Sequence, residues 1–84
     1  MESKEIADRL LALLTGVAPD IDPATVVPEL RLSDQFDFDS MDTLHFAIAI
    51  SREFGIDVAE RDYAQLASLA GACGYVQSKL AARG

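Results

Sequence analysis

The sequence predicts an all-α fold, a small four-helix bundle of three longer helices and one short helix, with a long loop between the first and second helices. Two observations carry this. Apolar residues recur at three- and four-residue spacing in separate runs, and no run shows the strict alternation of a strand or an internal repeat. The chain has 84 residues, which hides only about 60% of the surface its unfolded form exposes and leaves room for one core. Residues 1–84 therefore read as a single domain. With 50% apolar and 25% charged residues the composition fits a compact soluble domain rather than a disordered tail or a fibre.

In chain order, Ile6, Ala7, Leu10, Leu13, Leu14 and Val17 give the first helix, from about Ser3 to Thr15, with Ser3 as its cap and Gly16 as its stop. From Gly16 to Asp39 the periodicity dissolves among Pro19, Asp20, Asp22, Pro23 and Pro28, all turn formers or helix breakers. Within this loop Pro28 to Leu32 is expected to form one helical turn, proline first. Asp39 is a good N-cap and Asp42 stands three residues on, where a capping acid belongs, so a second helix runs to Phe54 and stops at Gly55. Its wheel carries two apolar stripes. Phe46, Ile50 and Phe54 with Ala47 form one, and Met41, Leu44 and Ile48 form another about 120° away, more than a single core contact needs. A polar arc holds Asp42, His45, Arg52 and Glu53. After the link Ile56 to Ala59, a brief helix spans about Glu60 to Leu66, and Ser68 caps a last helix whose core stripe is Leu66, Leu69, Cys73, Val76 and Leu80. Gly71 and Gly74 lie off that stripe, and the sequence alone gives no reason for them.

Composition also excludes whole classes of function. Fourteen acids against seven basic residues give a formal charge of −7, which repels the phosphates of nucleic acid and of anionic membranes and favours a partner with a basic docking face. Asp34, Asp37, Asp39 and Asp42 crowd around Ser40 with no lysine or arginine between them. One cysteine, Cys73, forms no internal disulfide and holds no metal alone, so a reducing compartment, the cytoplasm, is expected. The longest apolar runs, Leu10 to Leu14 and Phe46 to Ile50, are five residues each, so neither a signal peptide nor membrane insertion is expected.

Ser40, in the stretch FDFDSMD, invites three chemistries and a bland reading in which it merely starts a helix. As a nucleophile it lacks a base, because His45, the only histidine, lies about 140° around the same helix, and no oxyanion-type glycine motif surrounds it. An EF-hand loop is excluded as well. Asp37 and Asp39 have its first spacing, but Met41, Asp42 and Ile48 occupy its fifth-position ligand, glycine and closing glutamate places. No metal ligands and no catalytic residue are assigned. There remains a serine modified by another protein at the positive end of a helix, where a phosphate is stabilised by backbone N–H groups and the dipole. Exposed apolar residues one and two turns on would meet whatever reads the modification.

Leu32, Phe36 and the run Asp39-Ser40-Met41-Asp42 resemble the acyl carrier protein family's pattern around its D-S-L modification motif. The resemblance continues through SREFGIDV, Ser51 to Val58, and through Ser68-Leu69 and Tyr75-Val76, covering roughly Leu32 to Leu80. It implies that Ser40 is the attachment site of 4′-phosphopantetheine, transferred from coenzyme A by a magnesium-dependent phosphopantetheinyl transferase, and that Asp39 helps position the magnesium and the serine. It further implies a carrier of acyl or aminoacyl thioesters for fatty acid, polyketide or related biosynthesis, a monomer and not an enzyme. Its partners would be that transferase, an acyl- or aminoacyl-loading ligase and a downstream synthase or acyltransferase, met through Asp37, Met41, Asp42, Leu44 and Ile48. The other reading is an unmodified acidic adaptor that kept the fold. Met1 and a finished last helix favour a free protein over a piece of a larger synthase.

Three positions depart from the family pattern. Asp37 stands where glycine is usual, and if that position has positive φ, aspartate is among the few residues that tolerate it. Met41 replaces leucine with a side chain of similar size. The family's glutamate-rich recognition helix is here depleted to Asp42 and Glu53, which points to a specialised carrier whose docking is more apolar and less salt-sensitive.

Overall fold

A computed structural model describes residues 1–82 of the chain. It is all-helical among those residues: α1 (Ser3–Val17), a 3-10 turn (Pro23–Thr25), the one-turn α2 (Leu32–Gln35), α3 (Ser40–Phe54), a 3-10 segment (Glu60–Leu66) and α4 (Leu69–Ala82). The expected bundle of three longer helices and one short one is present, and α1, α3 and α4 enclose the core. Phe46, Ile6, Leu10, Leu14, Leu32, Ile50, Leu66 and Val76 are its largest fully buried side chains.

Ile6, Leu10 and Leu14, four residues apart, line the buried face of α1, because i and i+4 side chains stack on one side of a helix. Its ends differ from the sequence reading. Glu2, not Ser3, is the N-cap and makes no side-chain cap bond, while Ser3 Oγ lies 3.8 Å from Cys73 Sγ on α4. Gly16 stays inside the last turn. The helix stops because Pro19 disfavours helical backbone at Ala18, which sits at φ −130°, ψ 85° and donates its N–H to Leu14 O.

The long loop is organised rather than free. Asp22 caps the 3-10 turn by accepting from Ala24 N at 3.0 Å, with Pro23 in first place, and Ile21 is buried. The helical turn expected over Pro28 to Leu32 does not form; the short helix begins at Leu32 instead. Tertiary partners claim that backbone. Ala70 N donates to Pro28 O at 2.9 Å and Leu32 N to Ala67 O at 2.8 Å. The Gln35 side chain accepts from Val27 N at 2.8 Å and donates to Val27 O and Leu30 O at 2.9 and 3.0 Å. A helix there would have to surrender these bonds.

α3 begins and ends where the sequence places it. Gly55 takes the left-handed conformation at φ 64°, and Ile56 N and Ser51 Oγ close the end through bonds to Ser51 O and Ile56 O. The Glu60–Leu66 segment is tied to α4 by the Tyr75 hydroxyl, which donates to Asp62 Oδ2 at 2.8 Å. Ser68 Oγ accepts from Gly71 N at 3.0 Å, the expected cap.

On α4 the buried residues are Leu69, Ala72, Tyr75 and Val76, while Cys73 and Leu80 are only half-buried, which corrects the expected stripe. Cys73 faces the edge between α1 and α4, where Ser3 O accepts from its thiol at 3.7 Å. Gly71 gains a reason. A Cβ there would stand 2.5 Å from Gln65 O, so only glycine permits this approach of α4 to the preceding segment.

Candidate functional site

Four aspartates surround the start of α3, and the structure divides their work. Asp39 is extended, at φ −101° and ψ −173°, and its Oδ1 accepts from Asp42 N at 3.0 Å while Asp42 Oδ2 accepts from Asp39 N at 3.1 Å. This reciprocal capping box satisfies two backbone donors and fixes the residues on either side of Ser40. Thr43 Oγ1 adds a bond to Asp39 O at 3.2 Å. Beneath the loop Phe38 is buried edge-on against Phe46, ring centroids 6.4 Å apart, which anchors the chain directly before Asp39. Asp37 and Asp34 are exposed. Asp37 does not have positive φ, so replacing the family's glycine there requires no strained backbone.

Ser40 is the first residue of α3 and is exposed. Its hydroxyl, its own N–H and the N–H of Met41 make no hydrogen bond among the described residues. An uncommitted hydroxyl on a rigid helix start, with free N–H groups and the positive end of the helix dipole beside it, suits a phosphodiester. Asp39 and Asp37 add negative charge at the same place. Beside Ser40 an open depression of about 300 Å³ is lined by Ser40, Thr43, Tyr63, Ala64 and Ala67. Tyr63 also lines a second one of about 200 Å³ with Ala47, Ile48, Ser51, Arg52 and Val58. Tyr63 was not singled out by the sequence, because a seven-residue 3-10 segment is too short for periodicity to show which side faces α3.

The second apolar stripe of α3 is largely uncovered. Met41 is 55% and Ile48 41% exposed, Leu44 is half-buried, and His45 and Arg52 are exposed. Of the residues assigned to docking, Asp42 is distinct, since its carboxylate is engaged in the capping box.

A family model described as "Phosphopantetheine attachment site" matches residues 8–76, a span that takes in the whole capping box, Ser40 and α3. The chain belongs to the acyl carrier protein family. It is 36% identical over 82 residues to acyl carrier protein 2 of Ralstonia nicotianae and 26% identical over 82 residues to the acyl carrier protein of Thermosynechococcus vestitus, in each case covering 98% of this chain and 100% of the relative. The solved structure of acyl carrier protein from Enterococcus faecalis has the same fold, with a TM-score of 0.77 over 94% of this chain and 99% of that one, at 22% identity. As an acyl carrier protein the chain is a carrier rather than a catalyst, 4′-phosphopantetheine is its prosthetic group, and a phosphopantetheinyl transferase and acyl-handling enzymes are its classes of partner. When bound, the arm supplies a thiol that holds cargo as a thioester. Among the described residues no helix is long and apolar enough to cross a membrane.

Proposed function

We propose that Ser40 is the residue that carries the 4′-phosphopantetheine arm and that residues 1–84 act as one carrier domain of a specialised, cytoplasmic acyl or aminoacyl pathway. The observation that carries the first part is the exposed, unbonded Ser40 hydroxyl at the first turn of α3, held between two aspartates that lock each other. Asp39 presents a carboxylate one residue away and suits the role of positioning magnesium and serine during transfer, while Asp37 stands exposed beside it. The depression next to Ser40 gives the arm's proximal part a surface to lie on.

Support for a specialised pathway comes from the outer side of α3. Met41, Leu44 and Ile48 keep their carbon exposed or half-exposed while His45, Ser51 and Arg52 occupy the stretch that is glutamate-rich in ordinary carriers of this family, so the loading ligase and the downstream synthase or acyltransferase would dock chiefly by apolar burial, which salt screens little. The intact mass of wild type and Ser40→Ala after incubation with coenzyme A and a broad-specificity transferase tests the attachment. Wild type should gain one phosphopantetheine and the variant none; a gain in both, or in neither while both are folded, contradicts it. For docking, Leu44→Ser should weaken binding to the cognate partner more than raising the salt does, and the reverse order would remove the case for specialisation.

A further inference from the structure

The outward face of α3 has an ordered polarity that neither the family assignment nor the proposed arm explains. At about 100° per residue, Met41, Leu44, His45, Ile48 and Arg52 fall within roughly 100° of arc, opposite Phe46, Ile50 and Phe54. That arc contains no carboxylate. Both acids of α3 lie off it and are committed elsewhere: Asp42 Oδ2 accepts from Asp39 N at 3.1 Å, and Glu53 Oε2 accepts from Arg9 on α1 at 3.2 Å. Arg52, by contrast, is exposed and forms no ion pair among the described residues. It borders the 200 Å³ depression shared by Ile48, Val58 and Tyr63, so a group docked there would meet the guanidinium with apolar surface around it. At the opposite end of the strip, beside Ser40, Asp37 is exposed, and Asp39 is exposed too although its Oδ1 accepts from Asp42 N at 3.0 Å.

We infer that the enzyme acting on the cargo reads this strip with the complementary order: a cation facing Asp37 and Asp39, an apolar patch over Met41, Leu44 and Ile48, and a carboxylate facing Arg52. From Met41 to Arg52 the helix rises about 16 Å, which sets the separation between the partner's apolar contact nearest the arm and its acid. The apolar centre supplies contact area, and the two unlike ends fix which way round the partner sits, since like charges brought together by the reverse orientation repel. A uniformly basic docking surface would place a cation against Arg52 and be disfavoured. The inference rests on the carrier reading, because the partner is taken to approach the arm at Ser40.

The test does not depend on the transferase. Two helical peptides with the same leucine face, one with lysine near its tethered end and glutamate about 20 Å further on, the span from Asp39 to Arg52, the other with these exchanged, are coupled to Ser40→Cys in a Cys73→Ser background. Cys73→Ala serves as a second background. Tethering raises the local concentration to the millimolar range, so weak docking registers as amide shifts at Leu44, Ile48 and Arg52. With Arg52 in place the lysine-first peptide should dock about fivefold more than its exchanged form, and Arg52→Glu, which leaves both ends of the strip acidic, should abolish that preference. Equal docking of the two peptides, a preference for the exchanged one, or no shift at Ile48 and Arg52 with either overturns the inference. Absence of phosphopantetheine on Ser40 would overturn the carrier reading instead, and is measured separately.

Discussion

Along α3, Phe46, Ile50 and Phe54 are buried to 6% exposure or less, whereas Met41 and Ile48 on the other side remain 55% and 41% exposed although they are just as apolar. The inner residues stabilise the bundle. The outer ones contribute little to it, and their retention fits a surface that another protein covers. The same helix thus separates the cost of mutation into two currencies, stability on one side and recognition on the other, and substitutions can test whether the separation is real.

The largest effect is expected at Phe46, which fills the centre of the core and packs edge-on against Phe38. Phe46→Ala should lower the unfolding free energy by about 3–5 kcal/mol in urea titration. Ile48→Ala on the outer face should change it by less than about 0.5 kcal/mol. A loss at Ile48 approaching that at Phe46 would break the comparison, because Ile48 would then be a core residue.

Within α4 the two glycines make the same contrast without side chains. At Gly71 a Cβ would press on Gln65 O at 2.5 Å, whereas at Gly74 it would meet nothing within 4 Å. Gly71→Ala should therefore destabilise by about 1–3 kcal/mol. Gly74→Ala should stabilise by up to about 1 kcal/mol through helix propensity. Thermal melts of the two variants should shift in opposite directions.

Asp39→Ala removes one arm of the capping box and should cost about 1 kcal/mol while also slowing transfer of the arm, a double effect that no other outward residue near Ser40 should show. The smallest effect concerns pH. Burial, and then the hydrogen bond and charge of Asp62, push the Tyr75 phenol above its ordinary value. Because the folded state holds this proton more tightly, the stabilisation is complete below about pH 10, the unfolded value, and is lost as pH rises through the folded one. Wild type should lose stability in that alkaline range, and Tyr75→Phe should flatten the loss.

What could be read from sequence was local. The capping box of α3, its stop at Gly55 and the cap at Ser68 are each written within a few residues, and each was legible for that reason. The loop before α3 was not. The place of α2 depends on Gln35 reaching back to Val27 and on Ala67 and Ala70 meeting Leu32 and Pro28, partners eight to 42 residues apart that no local rule joins. Cys73 packs at the margin of the core rather than inside it, because stripe arithmetic resolves faces only to about a third of a turn, and Ala72 and Tyr75 take the inner side. At the candidate site Ser40, Asp39 and Asp42 were legible as a motif, and the exposure of Met41 and Ile48 as surplus apolar surface. Tyr63 and the engagement of Glu53 by Arg9 required the tertiary fold.

The most direct test of the account places the arm on a single atom. Trypsin cleavage of the loaded protein after Arg31 and Arg52 releases the segment 32–52, which contains Ser33, Ser40 and Ser51. Tandem mass spectrometry of that peptide should find phosphopantetheine on Ser40 alone, the exposed hydroxyl at the start of α3. Its presence on Ser33 or Ser51, or on a peptide from elsewhere in the chain, would contradict the account.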